Sequence, residues 1–421
     1  MNRRSFLVAL GAGTLAWPRS LEAMARELES GGQVDDEAFW ARVQSRFLIP
    51  SDRIYLNNGT LGPSPSVVVE AVEEHTRRVA ATYPPGVSWD DLKAAVSALI
   101  GGDPEGLVFP RNTTEAMSFV ANGLDVGPDE EVVTTDHEHI GGLEPWRLLA
   151  ARRGPRLRVA TLPRTAGSSA ELLDAVWSRV TDATRVISVS HVTFTNGTTL
   201  PVRELAKRAA ERGIVMVVDG AHPPGMMRLD LGGVGGDFYA SSPHKWLLAP
   251  QGSGLLYLAP HWRETLWPTL ASGGWDDTEL GAHRFNHLGT FDGSRMAGLL
   301  AAVEFLQAIG MDRVEARVRY LRKMLQDGLR AIPGVLVTTP EVEELASGMV
   351  AFRVEGVDSL DLQAHLARTD RVRTRVISEY GHGTMRLSTH IYNRPEELHR
   401  VLELLDGAAR HGVPPRGEVG E

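Results

Sequence analysis

The stretch Tyr239-Ala-Ser-Ser-Pro-His244-Lys245-Trp246 follows, some twenty residues on, an apolar run at 214–218 that ends in Asp219. Such a run predicts a buried strand, which places Lys245 near the edge of a buried sheet beside a serine, a histidine and an aromatic residue. Most lysines are solvated surface groups, but a partly desolvated lysine amine can act as a nucleophile. The stretch therefore predicts a functional lysine.

Predicted strands and helices alternate around this lysine. Near-continuous apolar strands are typical of a parallel sheet with both faces covered. We therefore predict an α/β fold, with a large domain on a mostly parallel sheet covered by helices on both faces and a smaller α+β C-terminal domain. The strands of the large domain are predicted at 107–109, 131–135, 158–161, 186–191, 214–219, 237–241 and 254–258.

Ligands of such sheets bind at the carboxyl ends of the strands. Polar residues fall just past these predicted ends: His139, His191, Asp219, His222, Ser242 and Lys245. They are the candidate site.

The sequence divides into five predicted segments. A long helix from residue 293 toward 332 is expected to lead into the second domain. We predict a signal peptide at 1–25, an N-terminal segment at 26–62 that contributes to the small domain and active site, the large domain at 63–292, the small domain at 293–411 and a flexible tail at 412–421.

Composition excludes several classes of function. The 421 residues carry a net charge of −9, which disfavours a nucleic-acid surface. The chain has no cysteine, so it has no disulfide, thiolate metal ligand or cysteine nucleophile.

The first residues have the pattern of an export signal. Arg3-Arg4-Ser5-Phe6-Leu7 precedes an apolar run, and Ala23-Met24-Ala25 has the small-x-small pattern of a cleavage site. The run is too short to span a bilayer. Because the paired arginines resemble a twin-arginine (Tat) signal, we expect Tat export to the periplasm, cleavage after Ala25 by signal peptidase and no stable membrane anchor.

The candidate residues match the needs of a pyridine aldehyde cofactor. Such a cofactor needs an amine for a Schiff base, a carboxylate at its ring nitrogen and donors for its phosphate. Lys245 and Asp219 are candidates for the first two, although Asp219 is also explained as a helix cap. The segment Asn112-Thr113-Thr114 is interpreted equally well as a phosphate-binding helix start or as a plain N-cap.

These motifs resemble the class V aminotransferases of the fold-type I pyridoxal-phosphate superfamily, especially isopenicillin N epimerase-like members and the cysteine desulfurase branch. The resemblance covers about residues 54–393. Ser242-Pro-His244-Lys245 matches the family's lysine motif, which implies that Lys245 carries pyridoxal 5'-phosphate and that Ser242 and His244 donate to its phosphate.

Other motifs imply further roles. Asp219 would pair with the ring nitrogen, His222 would lie near the ring hydroxyl, and His139 would stack on the ring and share in catalysis. Asn112, Thr113 and Thr114 match the phosphate loop. Gly289-Thr290 resembles a pair that reaches the phosphate across a homodimer interface.

The substrate side is expected to include Arg386, which resembles the arginine that binds the substrate carboxylate, together with Asn58, Tyr380 and His382. Arg373 and Arg375 lie nearby on an alternating strand and either could assist, although each is better explained as part of a solvated strand face. Phe194 stands where desulfurases carry an asparagine, and the desulfurase loop has no cysteine, so a persulfide mechanism on this chain is not expected.

The resemblance implies an exported enzyme acting at the α carbon of an amino acid or of an amino-acid group in a larger molecule, as isopenicillin N epimerase-like proteins do. Aminotransfer and C–S or β-elimination on a peptide-like, siderophore-type substrate are alternatives, and a non-catalytic cofactor-binding sensor is a remote one. Epimerisation needs an acid opposite Lys245, for which Tyr380 and His382 are candidates. His137-Glu138-His139 is weak as a metal motif, and no metal is expected.

Overall fold

The computed structural model describes residues 32–82 and 86–417. The predicted export signal, including the cleavage point after Ala25, lies outside the described residues. Within the described ranges, no helix is both long enough and apolar enough to cross a bilayer.

The large domain is built on a seven-stranded sheet with the order β1-β7-β6-β5-β4-β2-β3. Strands β2 to β6 pair in parallel, and β7 pairs antiparallel with β6 and β1. The predicted mostly parallel sheet is therefore confirmed. The strands are β1 Leu107–Val108, β2 Glu131–Thr135, β3 Arg156–Ala160, β4 Thr184–Ser190, β5 Val215–Asp219, β6 Phe238–Ser241 and β7 Leu255–Leu258.

Alternate side chains of the central strands point to opposite sides of this sheet, and an apolar core buries each side. In β5, Val215 and Val217 belong to one apolar core, whereas Met216 and Val218 belong to the other. Helices cover each face, as predicted. The α-helices that precede β6 are α1 Glu37–Gln44, α2 Ser66–Thr82, α3 Trp89–Ile100, α4 Thr113–Gly123, α5 Ile140–Arg153, α6 Ser169–Trp177, α7 Val202–Glu211 and α8 Leu231–Val234.

The single long helix expected from residue 293 is two helices, α9 Ser294–Ile309 and α10 Met311–Ala331. Gly310 separates them with a φ of 93°, a conformation that glycine adopts far more readily than other residues. Helix α9 packs in the large-domain core through Phe305 and Ile309. Later turns of α10 pack in the small-domain core, so the prediction of one continuous helix is wrong.

The small domain contains an antiparallel sheet with the order β10-β11-β9-β8. Leu321, Leu325 and Leu329 of α10 pack in its core at the four-residue spacing that aligns side chains on one helix face. Its elements are β8 Val335–Val337, β9 Met349–Val354, α11 Ser359–Asp370, β10 Arg375–Ile377, β11 Thr384–Ser388 and α12 Pro395–His411.

The N-terminal segment joins this small sheet through isolated bridges. Tyr55 pairs with Arg373, and Asn57 pairs with Ser388. This attachment carries Gly59 and Thr60 to the space between the two sheets.

Candidate active site

A cavity of about 310 Å³ lies at the carboxyl ends of β4, β5 and β6, between the large and small sheets. This is the edge at which the sequence predicts a ligand. The large domain lines it with Asn112, Thr113, Thr114, His139, Gly141, Ser190, Val192, Phe194, Asp219, Ala221, His222, Ser242, His244 and Lys245. The N-terminal segment and small sheet contribute Gly59, Thr60, Arg375 and Arg386.

Asp219 and Lys245 both line this cavity, and the charge of each affects the pKa of the other. Burial lowers the pKa of Lys245 to about 8, although the charge of Asp219 acts in the opposite direction. Burial raises the pKa of Asp219, which Lys245 and the Ala221 amide partly offset. The Asp219 carboxylate accepts from that amide at 3.0 Å in a local turn and caps no helix. The pair therefore combines a readily deprotonated amine with a buried carboxylate.

The tautomer of His222 is set by Trp246. The indole N–H of Trp246 donates to Nδ1 of His222 at 3.0 Å, so the neutral ring carries its proton on Nε2. Burial holds the pKa of His222 well below its usual range, which keeps the ring neutral. Nε2 is buried and has no hydrogen-bond partner, and His222 lines the cavity. The site thus offers an unused donor.

Trp246 is itself held by the small domain. Its ring stacks on His390 at 5.5 Å between centroids, and Nε2 of His390 donates to the Trp246 carbonyl at 2.9 Å. The residue after the candidate lysine is therefore fixed from both domains.

The part of the cavity where the sequence predicts a phosphate is formed by the start of α4 together with Ser242 and His244. Asn112 accepts from the Glu115 amide at 2.9 Å, which confirms the N-cap interpretation for its side chain. Ser242 bridges to the same helix start, because its hydroxyl accepts from the Thr113 amide at 3.1 Å. An N-cap does not preclude anion binding, since first-turn amides have no intrahelical partner.

His244 can donate to an anion only when charged. Its Nδ1 donates to the Ser253 carbonyl at 3.0 Å, so Nε2 bears a proton only in the imidazolium form. Burial and the charge of Lys245 lower the pKa of His244 to about 4. A phosphate dianion beside this ring would favour proton uptake.

His139 begins α5 and faces the cavity. Its Nδ1 accepts from the Gly141 amide at 3.0 Å, and its ring packs edge-on against Phe194 at 5.1 Å. Burial and nearby Lys245 lower its pKa to about 4, so the ring is neutral. The helix approaches closely because residue 142 is glycine: a Cβ there would lie 2.6 Å from Asp219 Oδ2.

Two arginines from the small sheet reach the cavity. Arg386 is 2% exposed and donates to the Phe194 carbonyl at 2.6 Å and to the Thr60 hydroxyl at 3.1 Å. Burial, then repulsion from Arg375, lowers its pKa to about 9. Arg375 also lines the cavity, so the interpretation of this residue as a solvated strand face is wrong. Arg373 is exposed, as expected.

The structure removes both candidates for a second acid from the cavity lining. The Tyr380 hydroxyl donates to the Glu138 carbonyl at 2.8 Å, and His382 packs on His137 at 4.7 Å. Neither side chain lines the cavity of this chain, so the role of either as an acid opposite Lys245 stays a prediction.

Other expected residues are also away from the lining. Asn58 is fully buried and accepts from the Tyr392 hydroxyl at 3.1 Å. His191 bonds to the Tyr239 hydroxyl. Gly289 and Thr290 are exposed on this chain.

Sequence reasoning missed Glu138 as a support of the site. This buried carboxylate accepts from the Ser190 hydroxyl and the Thr135 hydroxyl, each at 2.6 Å. Burial raises its pKa to about 7, and the charge of Asp219 acts in the same direction. Its only sequence signal is its place directly before His139. In the described part of the chain, no group of His, Asp and Glu is arranged to hold a metal.

The lining fits pyridoxal 5'-phosphate on observed grounds. The unpartnered Nε2 of His222 offers a donor for a ring oxygen, Asp219 offers a buried carboxylate for a pyridinium, and the α4 start lines the cavity with Thr113 and Thr114 at the positive end of a helix, which favours a phosphate. Lys245 supplies the amine.

Comparisons with known proteins agree with this fit. Residues 63–401 match the family model described as aminotransferase class-V. The chain is 33% identical to isopenicillin N epimerase of Streptomyces clavuligerus, over 88% of this chain and 98% of the relative.

Solved structures share the fold. The cysteine desulfurase of Thermococcus onnurineus NA1 superposes with a TM-score of 0.77 at 25% identity, over 90% of this chain and 99% of that one. A lysine-to-alanine variant of C-DES, with glycine covalently linked to its PLP cofactor, has a TM-score of 0.75 at 24% identity, over 86% and 98%.

Proposed function

The chain belongs to the aminotransferase class-V family, and from that premise we propose that it epimerises the α carbon of an amino acid, or of an amino-acid group in a larger molecule. Pyridoxal 5'-phosphate is the cofactor of this site. The observation that carries the proposal is one cavity that joins Lys245, Asp219 and Arg386. Relatedness to isopenicillin N epimerase over almost its whole length favours epimerisation.

Lys245 is the proposed base at the α carbon. When bound, pyridoxal 5'-phosphate supplies an electron sink for negative charge at that carbon. A lysine whose pKa is about 8 is partly uncharged near neutral pH, so its amine can take the proton. Asp219 would hold a proton at the ring nitrogen, and His222 and His139 would contact the ring.

Arg386 is the proposed binding partner of the α carboxylate. A guanidinium can bind a carboxylate through two parallel hydrogen bonds. Arg386 already uses Nη1 and Nη2 on Phe194 and Thr60, which fixes its orientation. Its Nε is buried without a partner.

The reaction can be tested by incubating the loaded protein with L-amino acids, small peptides and 2-oxo acids in deuterated water. Epimerisation gives inversion at the α carbon with deuterium uptake. Amino transfer to a 2-oxo acid, or release of a β or γ substituent, would contradict it. Alanine formed from L-cysteine would instead indicate a desulfurase, although this chain has no cysteine to carry a persulfide.

We also propose a homodimer with the site at its interface. Gly289 and Thr290 are exposed here, whereas family resemblance places them at a phosphate of the other chain. Exposed apolar side chains support a covered face, since Phe291, directly after Thr290, is 48% exposed and Trp267 is 62% exposed. Light scattering of the loaded protein should give twice the chain mass, and a monomer with full cofactor affinity would contradict this.

Export through the Tat pathway is likewise proposed, on the twin arginines and the Ala23-Met24-Ala25 pattern. Fractionation of the native host should place the protein in the periplasm, with an N-terminus at Arg26. Recovery only in the cytoplasm with residues 1–25 intact would refute it.

A further inference from the structure

Arg375 and Arg386 lie side by side on the cavity wall. They are directly opposite partners on β10 and β11, and both line the cavity. Opposite residues of an antiparallel pair project to the same face, and like charges there repel. The lower pKa of Arg386 reflects this repulsion after burial. An anion bound by the two guanidinium groups would offset this repulsion.

The protein supplies too little negative charge for both. Among the described residues no carboxylate forms an ion pair with Arg386. Arg375 has one partner, Glu379, with Nη2 to Oε1 at 2.5 Å. The other oxygen, Oε2 of Glu379, is buried and has no hydrogen-bond partner. Glu379 therefore holds Arg375 through one oxygen only, which is a weaker arrangement than a two-bond fork.

Arg375 is accessible to a ligand. Its side chain is 40% exposed, whereas Arg386 is 2% exposed. Arg386 thus lies deep in the cavity and Arg375 lies nearer solvent. A ligand that filled the cavity from Lys245 outward would pass both guanidinium groups.

We propose that Arg375 binds a second carboxylate of the substrate, while Arg386 binds the α carboxylate. The substrate class is then an amino acid, or an amino-acid group, with a distal acid. Glu379 occupies Arg375 in the free protein and is displaced by that acid. This inference rests on the proposed function, because it takes the α carbon to lie near Lys245.

The test measures binding by the visible absorbance of the protein loaded with pyridoxal phosphate. Two matched pairs of ligands are titrated: L-glutamate against L-glutamine, and L-2-aminoadipate against L-norleucine. The wild type should bind at least one acidic member about tenfold more tightly than its neutral match. Equal affinities within both pairs, or no response to any of the four, would overturn the proposal.

Two variants change this preference in opposite directions. Arg375→Gln should reduce the preference for the acidic over the neutral ligand to about twofold or less, because the distal guanidinium is lost. Glu379→Gln should make acidic ligands bind more tightly, because the side chain at position 379 would no longer compete with the ligand carboxylate for Arg375. Arg373→Gln is the matched control, since Arg373 is exposed outside the cavity lining, and should retain the wild-type preference. A preference retained by Arg375→Gln, or lost equally in the control, contradicts the assignment.

Deuterium exchange at the α carbon, measured separately, distinguishes the two proposals. Preference for acidic ligands without exchange supports the Arg375 site and refutes epimerisation. Exchange without the preference supports chemistry at the α carbon and refutes the Arg375 site.

Discussion

The two walls of the cavity are built differently. On the large-domain wall, Asp219 and Lys245 come from the ends of β5 and β6, which are neighbouring parallel strands. On the small-domain wall, Arg375 and Arg386 come from within β10 and β11, and Tyr380 of the loop between them bonds to the Glu138 carbonyl. Residues after parallel strands converge on one edge whatever their exact register, whereas residues within a hairpin depend on register and loop conformation.

Lys245→Ala removes the amine from the large-domain wall and should have the largest effect on activity. Without the amine, α-hydrogen exchange should fall by about a thousandfold or more, and the visible band that borohydride removes from the wild type should be lost. Absorbance and mass spectrometry measure both. Lys207→Ala, on the exposed side of α7, should leave them unchanged. A borohydride-resistant band that persists in Lys245→Ala would refute the assignment.

Arg386→Lys removes the buried guanidinium from the small-domain wall but keeps a positive charge. A lysine lacks the planar fork that contacts Phe194 and Thr60, so substrate orientation should suffer. KM should rise by about 10-fold to 100-fold, with a smaller change in kcat. Steady-state kinetics at saturating cofactor measure the split. An unchanged KM would place the α carboxylate elsewhere.

Glu138→Gln tests the support behind the large-domain wall. The pKa of Glu138 is raised from 4.5 to about 7, so its contribution to stability is present below about pH 4.5 and is lost as pH rises to about 7. Glutamine resembles the protonated form and lacks this titration. Relative to the wild type, the variant should gain stability from about pH 5 to about pH 8, by a difference on the order of 3 kcal/mol.

Urea unfolding at both pH values checks this difference. Glu144→Gln on the exposed side of α5 is the control, because Glu144 is 53% exposed, and it should keep the wild-type dependence. Parallel pH dependences for the wild type and Glu138→Gln would show that Glu138 is ionised throughout.

Tyr380→Phe should have the smallest effect and would sharpen the contrast between the walls. It removes one partly exposed hydrogen bond to the Glu138 carbonyl, so stability should fall by about 1 kcal/mol. The α-hydrogen exchange rate should stay within about twofold of the wild type. A loss of exchange as large as that of Lys245→Ala would return Tyr380 to the role of second acid.

The same contrast explains what the sequence could predict. Apolar runs and alternation were sufficient to predict the large sheet and the convergence of Asp219, His222 and Lys245, because strand ends need only the correct order of elements. The roles of those residues came from family resemblance. The interpretation of Arg375 failed because alternation along a strand does not tell which face another domain covers.

Other misses have local causes. Gly310 gives little signal in a helical pattern until its left-handed backbone is seen. The contact of Tyr380 with the Glu138 carbonyl gave no signal either, because a positive φ at a tyrosine is unusual and the two residues are 242 positions apart. Glu138 was missed because its partners Thr135 and Ser190 lie on two strands, and their approach depends on tertiary packing.

The contact between Trp246 and His390 bears on the order in which the chain is made. The two residues are 144 positions apart, and His390 supports the segment directly after Lys245. Because a chain is synthesised from its N-terminus and its domains fold in that order, this support arrives only after residue 390 has been made. A fragment that ends before Thr389 would contain Lys245 and Asp219 but lack the ring that fixes Trp246. The segment after Lys245 therefore reaches its full set of contacts only once His390 is in place.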